Sequence, residues 1–163
     1  MSVALDISAA VPNGFSQDER DLFSALVRQA GEVGENALAT NMKTAKALVF
    51  GRIAGEVLGI AALKRPQASY RKRIGRKAGV DIGPASYTYE LGYVFVLPKA
   101  QGKKLSHFLV AAALAHTEGA AVFATTRTDN AAMLATLAKA GFRQFGQDYR
   151  GRGARAIRLS VRP

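Results

Sequence analysis

Two spacings of apolar residues recur along the chain. Runs containing β-branched and aromatic residues predict strands, and apolar residues three and four apart predict helices. Val3–Ile7 reads as a short first strand. Ser16-Gln17-Asp18-Glu19 then has the form of a capping box, in which serine and glutamate satisfy free N–H groups at a helix start. Leu22, Phe23, Leu26, Val27 and Ala30 follow at helical spacing, and Gly31 ends the run. Glu35–Met42 predicts a short second helix. Ala47–Ile53 and Val57–Leu63 flank Ala54-Gly55-Glu56 and predict a β-hairpin, stopped by Pro66.

Residues 64–86 are basic and rich in Gly, Ser and Pro, and are expected to form a loop insertion. Tyr87–Leu97 predicts a long strand ended by Pro98. A polar loop, Lys99–Lys104, leads to a helix over Leu105–Thr117. Ala121–Arg127 predicts a strand, Asp129–Ala140 a helix, and Gly141 a left-handed stop. Asp129 is the expected cap of that helix. Arg143–Gln147 and Ala156–Val161 predict two closing strands around Gly151-Arg152-Gly153. The fold class is therefore mixed α/β.

Composition narrows the functional classes. The chain has 163 residues and no cysteine, which excludes disulfides, thiolate metal sites and a cysteine nucleophile. The apolar run at Leu109–Ala115 is much shorter than the ~20 residues of a membrane-spanning helix. No basic segment followed by an apolar run opens the chain, so no secretory signal is expected. A cytoplasmic protein without a membrane partner is the expectation. His107 and His116 lie on opposite sides of one helix and cannot share a metal, so no metal site is expected.

Charge changes the picture more. There are 23 Lys+Arg against 12 Asp+Glu, a formal +11. Residues 1–42 hold two arginines against six carboxylates, a segment charge of −4 that leaves +15 on the rest. The basic residues gather in 64–77, at Lys99, Lys103 and Lys104, and in 143–162. Such clusters suit a polyanion, either nucleic acid or a phosphate-bearing cofactor, or else a solvated surface.

The middle cluster has a specific context. A strand runs into a glycine-containing basic loop that opens a helix, in Glu90-Leu-Gly-Tyr-Val-Phe-Val-Leu-Pro-Lys-Ala-Gln-Gly-Lys-Lys-Leu-Ser106. Backbone N–H groups and the positive dipole end at a helix start favour phosphate. Val96-Leu97-Pro98, Gln101-Gly102-Lys103-Lys104-Leu105-Ser106, Thr128-Asp129-Asn130 and Lys139-Ala140-Gly141-Phe142 occur in that order. On these residues, over roughly 47–146, the chain resembles the GNAT superfamily of N-acetyltransferases.

The resemblance implies a mixed, mostly antiparallel sheet of about six or seven strands flanked by about four helices. It implies one N-acetyltransferase-like domain over 1–163, carrying the insertion at 64–86. The implied activity is acetyl-CoA-dependent transfer of an acetyl group to a primary amine, borne by a small molecule or a protein. The implied cofactor contacts are backbone amides of Gln101, Gly102, Lys103, Lys104, Leu105 and Ser106 on the pyrophosphate. Main chain of Val94, Phe95 and Val96, and Asn130, would meet the pantetheine arm. Lys104 stands where the family motif has a glycine, and Ser106 where Gly or Ala is usual. Glu90, on the central strand, is the candidate catalytic base, since partial burial tunes a carboxylate for proton transfer. The family's acid tyrosine is replaced by Leu137, with Tyr149, Tyr93 or a water as substitutes.

Two alternatives stay open at this stage. One is a non-catalytic module of this fold for nucleic acid or acyl-CoA. The other is a toxin-like acetyltransferase acting on aminoacyl-tRNA, engaged through 64–77 and 143–162. The acceptor is expected to meet residues 17–42 and 64–86. The sequence leaves the oligomeric state open, a homodimer included.

Overall fold

The computed structural model describes residues 4–31 and 35–163. Among them are eight strands and five α-helices, divided between two compact units. Val3, the start of the expected first strand, lies outside the described residues.

The first unit comprises Met1–Arg65 and Leu91–His116. It holds β1 (Leu5–Ala10), α1 (Gln17–Ala30), α2 (Glu35–Thr44), β2 (Ala47–Ile53) and β3 (Glu56–Lys64). It also holds most of β4 (Tyr89–Val96) and all of α4 (Leu105–Leu114). β1 pairs antiparallel with β2, β2 with β3, and β4 lies beside β3. The capping box forms as expected: Ser16 Oγ accepts from Glu19 N at 3.1 Å, and Ser16 N donates to Glu19 Oε1 at 3.0 Å.

Period-two alternation gives β2 and β3 two different faces. Phe50 and Ile60 point to one side, into a core with Phe15, Phe23, Leu26 and Leu38. The rings of Phe15 and Phe50 meet edge to face, 4.8 Å apart. Gly51 and Gly59 open the other side to α4. A Cβ at Gly59 would stand 2.7 Å from Leu109 Cδ1 and 3.1 Å from Leu105 Cδ2. The two glycines thus let the helix seat its leucines directly on the sheet.

The second unit comprises Pro66–Glu90 and Thr117–Pro163. It holds α3 (Ala68–Ala78), the first two residues of β4, β5 (Val122–Arg127) and α5 (Ala131–Lys139). The chain closes with β6 (Arg143–Gln144), β7 (Tyr149–Arg150) and β8 (Ala156–Arg162). β4 pairs parallel with β5 at Tyr89↔Val122 and Glu90↔Phe123. β8 pairs antiparallel with β5, β6 and β7.

The insertion at 64–86 is not the loop expected from its composition. Eleven of its residues form α3. Arg71, Ile74, Gly75 and Ala78 give the helix a buried stripe at helical spacing, and Gly79 ends it with φ 77°. Two members of that stripe are an arginine and a glycine, which hid the periodicity. Arg71 is 5% exposed and serves as a polar core residue. Its guanidinium donates to the carbonyls of Pro66 (3.3 Å), Ile82 (3.0 Å), Thr88 (2.8 Å) and Tyr87. It thereby ties the loop after α3 back onto the helix.

Candidate active site

In the first unit the strand-to-helix crossing has a defined backbone. Tyr93 takes φ 54° and interrupts the regular pleat of β4. A 3₁₀ turn follows at Pro98–Ala100, then Gly102 at φ 83° and Lys104 at φ 60°, the N-cap of α4. The left-handed conformation at 104 is the physical reason a glycine suits this position. Lysine holds it at a cost of about 1–2 kcal/mol.

Gln101, Gly102, Lys103 and Lys104 are all exposed, around the N-terminal turn of a ten-residue helix. The first N–H groups of an α-helix have no partner within the helix, and its dipole is positive there. Gln101 Nε2 donates to Val96 O at 3.2 Å and braces the loop against the strand. Leu105 is buried on β2 and β3, so only its main chain is available to an anion. Ser106 and the stretch Val94, Phe95 and Val96 are partly exposed. Lys99 pairs with Glu56 across the unit.

The candidate base lies in the second unit and is more enclosed than expected. Glu90 is 2% exposed. Tyr70 Oη, from α3, donates to Glu90 Oε2 at 2.7 Å. Burial, then the Glu90 charge, raises the Tyr70 hydroxyl well above its usual range. Tyr149 is raised by the same two causes in the same order. Burial lowers the Arg71 guanidinium, and the Glu90 charge opposes that shift. Glu90 is thus a carboxylate enclosed with two protonated tyrosines and one buried cation.

Asn130, not Asp129, caps α5: its Oδ1 accepts from Met133 N at 3.1 Å. Asp129 is exposed and sits 3.7 Å from Arg127 Nε. Leu137 is 2% exposed, a core side chain in the position the family gives to tyrosine. Of the substitute acids, Tyr149 lies in the same unit as Glu90, whereas Tyr93 Oη accepts from Asn41 Nδ2 at 2.7 Å in the other. Nothing in the sequence marked Tyr70 as a hydrogen-bond partner of Glu90. The signal for Tyr70 was its place one residue before Arg71 on a helix hidden by composition. Among the described residues no three His, Asp or Glu side chains gather as a metal site. None of the described helices is long and apolar enough to cross a membrane.

The acetyltransferase (GNAT) family model matches residues 16–142. The chain belongs to that family. No curated protein matches it by sequence. Solved structures share the GNAT fold at low identity. Escherichia coli ElaA superposes with TM-score 0.72 at 15% identity, covering 98% of this chain and 100% of that one. The ribosomal-protein-S18-alanine N-acetyltransferase from Escherichia coli gives 0.70 at 15%, covering 98% and 94%. Arabidopsis thaliana Naa50, in complex with the bisubstrate analogue CoA-Ac-MVNAL, gives 0.69 at 10%, covering 99% of each. The mixed sheet and flanking helices of this chain are those of a GNAT protein, with α3 filling the stretch its composition marked as a loop.

Proposed function

We propose that the chain is an acetyl-CoA-dependent N-acyltransferase that acetylates a primary amine. The observation that carries this reading is the left-handed Lys104 opening α4 two residues after Gly102, in a chain matched by the family model. That backbone leaves the N-terminal turn of α4 exposed, where it would take an anion, and Lys103 and Lys104 add positive charge beside it. Backbone amides of 101–106 would hold the pyrophosphate and main chain of Val94–Val96 would align the pantetheine arm, while Asn130 is the further contact to that arm that the family resemblance implies. Acetyl-CoA supplies the activated acyl group.

The remaining chemistry falls to this chain's side chains. An attacking amine must be neutral and must lose a proton. Glu90 is the base in this reading. At 2% exposure it exchanges a proton only through a hydrogen-bonded neighbour or a water, and Tyr70 is such a neighbour. Tyr149 stays protonated at neutral pH and, held up by burial and the Glu90 charge, is too weak an acid to protonate a thiolate, so that proton falls to a water in this reading. Holding the reactants in line contributes several kcal/mol more.

Calorimetric titration with acetyl-CoA tests the reading. Binding is expected, and K103E/K104E should weaken it at least tenfold. No binding at millimolar acetyl-CoA overturns the proposal. With a panel of a polyamine, amino acids and short peptides, E90Q should bind acetyl-CoA normally but release little thiol.

A further inference from the structure

We propose that the second unit carries a docking surface for the phosphate backbone of a double-helical nucleic acid, formed where α3 meets the C-terminal hairpin. Two basic clusters more than sixty residues apart in sequence become neighbours there. Gln147 N donates to Ala78 O at 2.9 Å, and Gln147 Nε2 to Lys77 O at 3.1 Å. Lys77 Nζ donates to Arg150 O at 3.3 Å. Gly146 lies so close that a Cβ on it would stand 2.4 Å from Ala78 O.

The joined elements present one sign of charge. Arg73 and Lys77, one turn apart, are exposed on the side of α3 nearest β7. Lys72 and Arg76 extend the same exposed face, while the opposite face is buried. The β7–β8 turn adds Arg150, Arg152 and Arg155, all exposed. The unit as a whole has thirteen Lys and Arg against five Asp and Glu. Its acids do not neutralise this face. Asp148 is held by Arg158 through bonds of 3.0 and 2.9 Å, and Glu90 is buried. Asp81, whose Oδ1 accepts from Gly83 N, borders Lys72 and Arg76 at one edge of the face and leaves Arg73, Lys77 and the turn arginines unopposed.

The character of the face selects the partner. Arginine forks match phosphate oxygens in pairs. A membrane-surface helix would insert an apolar side, but α3 buries its apolar side in its own core. The exposed large apolar side chains among the described residues are Val11, Leu22 and Phe108, all in the other unit. Single-stranded nucleic acid is held largely by base stacking on open aromatic rings. Here the rings of Tyr70 and Tyr149 are partly buried, and Arg73 and Lys77 lie 5.5 and 6.0 Å from their centroids. What remains is backbone contact without base readout, which a duplex supplies. This inference does not depend on acetyl transfer.

Fluorescence anisotropy with RNA and DNA duplexes of about 16 base pairs tests it. With four or five phosphates engaged, affinity should fall at least a hundredfold from about 50 to about 200 mM salt. R73E/K77E/R152E should weaken binding at least fiftyfold while the chain stays cooperatively folded and keeps its acetyl-CoA titration. K103E/K104E, in the other unit, should leave duplex binding within a few-fold. Preference for RNA or for DNA supports the proposal either way and names the helix form. Absence of duplex binding at low salt, binding unchanged by the triple reversal, or binding to phosphatidylserine vesicles alone overturns it.

Discussion

Tyr70, on a helix, donates its hydroxyl proton to Glu90 Oε2, on a strand twenty residues later, at 2.7 Å. The bond joins a partly buried phenol to a buried carboxylate, so each group's environment depends on the other. Within the second unit it also pins α3 to the start of β4.

That bond sets an alkaline limit on stability. Burial, and then the Glu90 charge, hold the folded Tyr70 hydroxyl protonated well above pH 10, where the unfolded chain ionises it. Folding stability is therefore complete below about pH 10 and falls above it, by up to ~1.4 kcal/mol per pH unit for this one group. Urea denaturation between pH 7 and pH 10.5 should show a shallower alkaline decline for Tyr70→Phe than for wild type. At pH 7 the same variant should lose about 1–2 kcal/mol for the missing bond. Parallel declines would contradict the assignment.

Arg71 is the polar keystone of the second unit. Removing it strands carbonyls of Pro66, Ile82, Tyr87 and Thr88 that its guanidinium satisfies. Arg71→Gln should cost about 3–5 kcal/mol by chemical denaturation. Arg71→Lys should restore little, because one ammonium cannot reproduce the planar fork. Full rescue by lysine would show that charge, not geometry, matters there.

Lys104 offers the opposite kind of test. Its φ of 60° is unfavourable for any side chain and free for glycine. Lys104→Gly should raise stability by about 0.5–1 kcal/mol, after the extra freedom of glycine in the unfolded chain is counted. Lys104→Ala should show no such gain. Thermal unfolding of the two variants side by side decides it.

Gly146 and Gly153 separate steric clash from backbone strain. Both take positive φ, 77° and 66°. A Cβ at 146 would lie 2.4 Å from the Ala78 carbonyl, while one at 153 meets nothing within 4 Å. Gly153→Ala should cost about 1 kcal/mol, and Gly146→Ala about 2–4 kcal/mol. Gly146→Ala should also weaken duplex binding more than Gly153→Ala, because it wedges α3 from the hairpin. Equal costs would mean that the junction yields easily.

Much of this chain is local, and the local part was legible. The capping box at Ser16 and Glu19, the β2–β3 hairpin and the strand–loop–helix at 90–106 each depend on residues close in sequence. Their periodicity and turn chemistry suffice to place them. α3 escaped notice because its buried stripe contains Arg71 and Gly75, and an arginine counts as core only when distant carbonyls converge on it. The cap of α5 shifted from Asp129 to Asn130 because two adjacent capping residues are indistinguishable until the backbone turns.

The sequence by itself determined the order of elements and the glycine-containing basic loop between a strand and a helix, and it set Lys104 and Leu137 where the family it resembles has a glycine and a tyrosine. These are matters of residue type and spacing. Tertiary structure alone decided that Glu90 is enclosed with Tyr70 and Tyr149, and that Lys77 and Arg150 lie side by side. Both depend on pairings between residues twenty to seventy-three positions apart. Only packing, which balances burial of apolar surface against satisfaction of every buried polar group, selects among the many pairings that such separations allow.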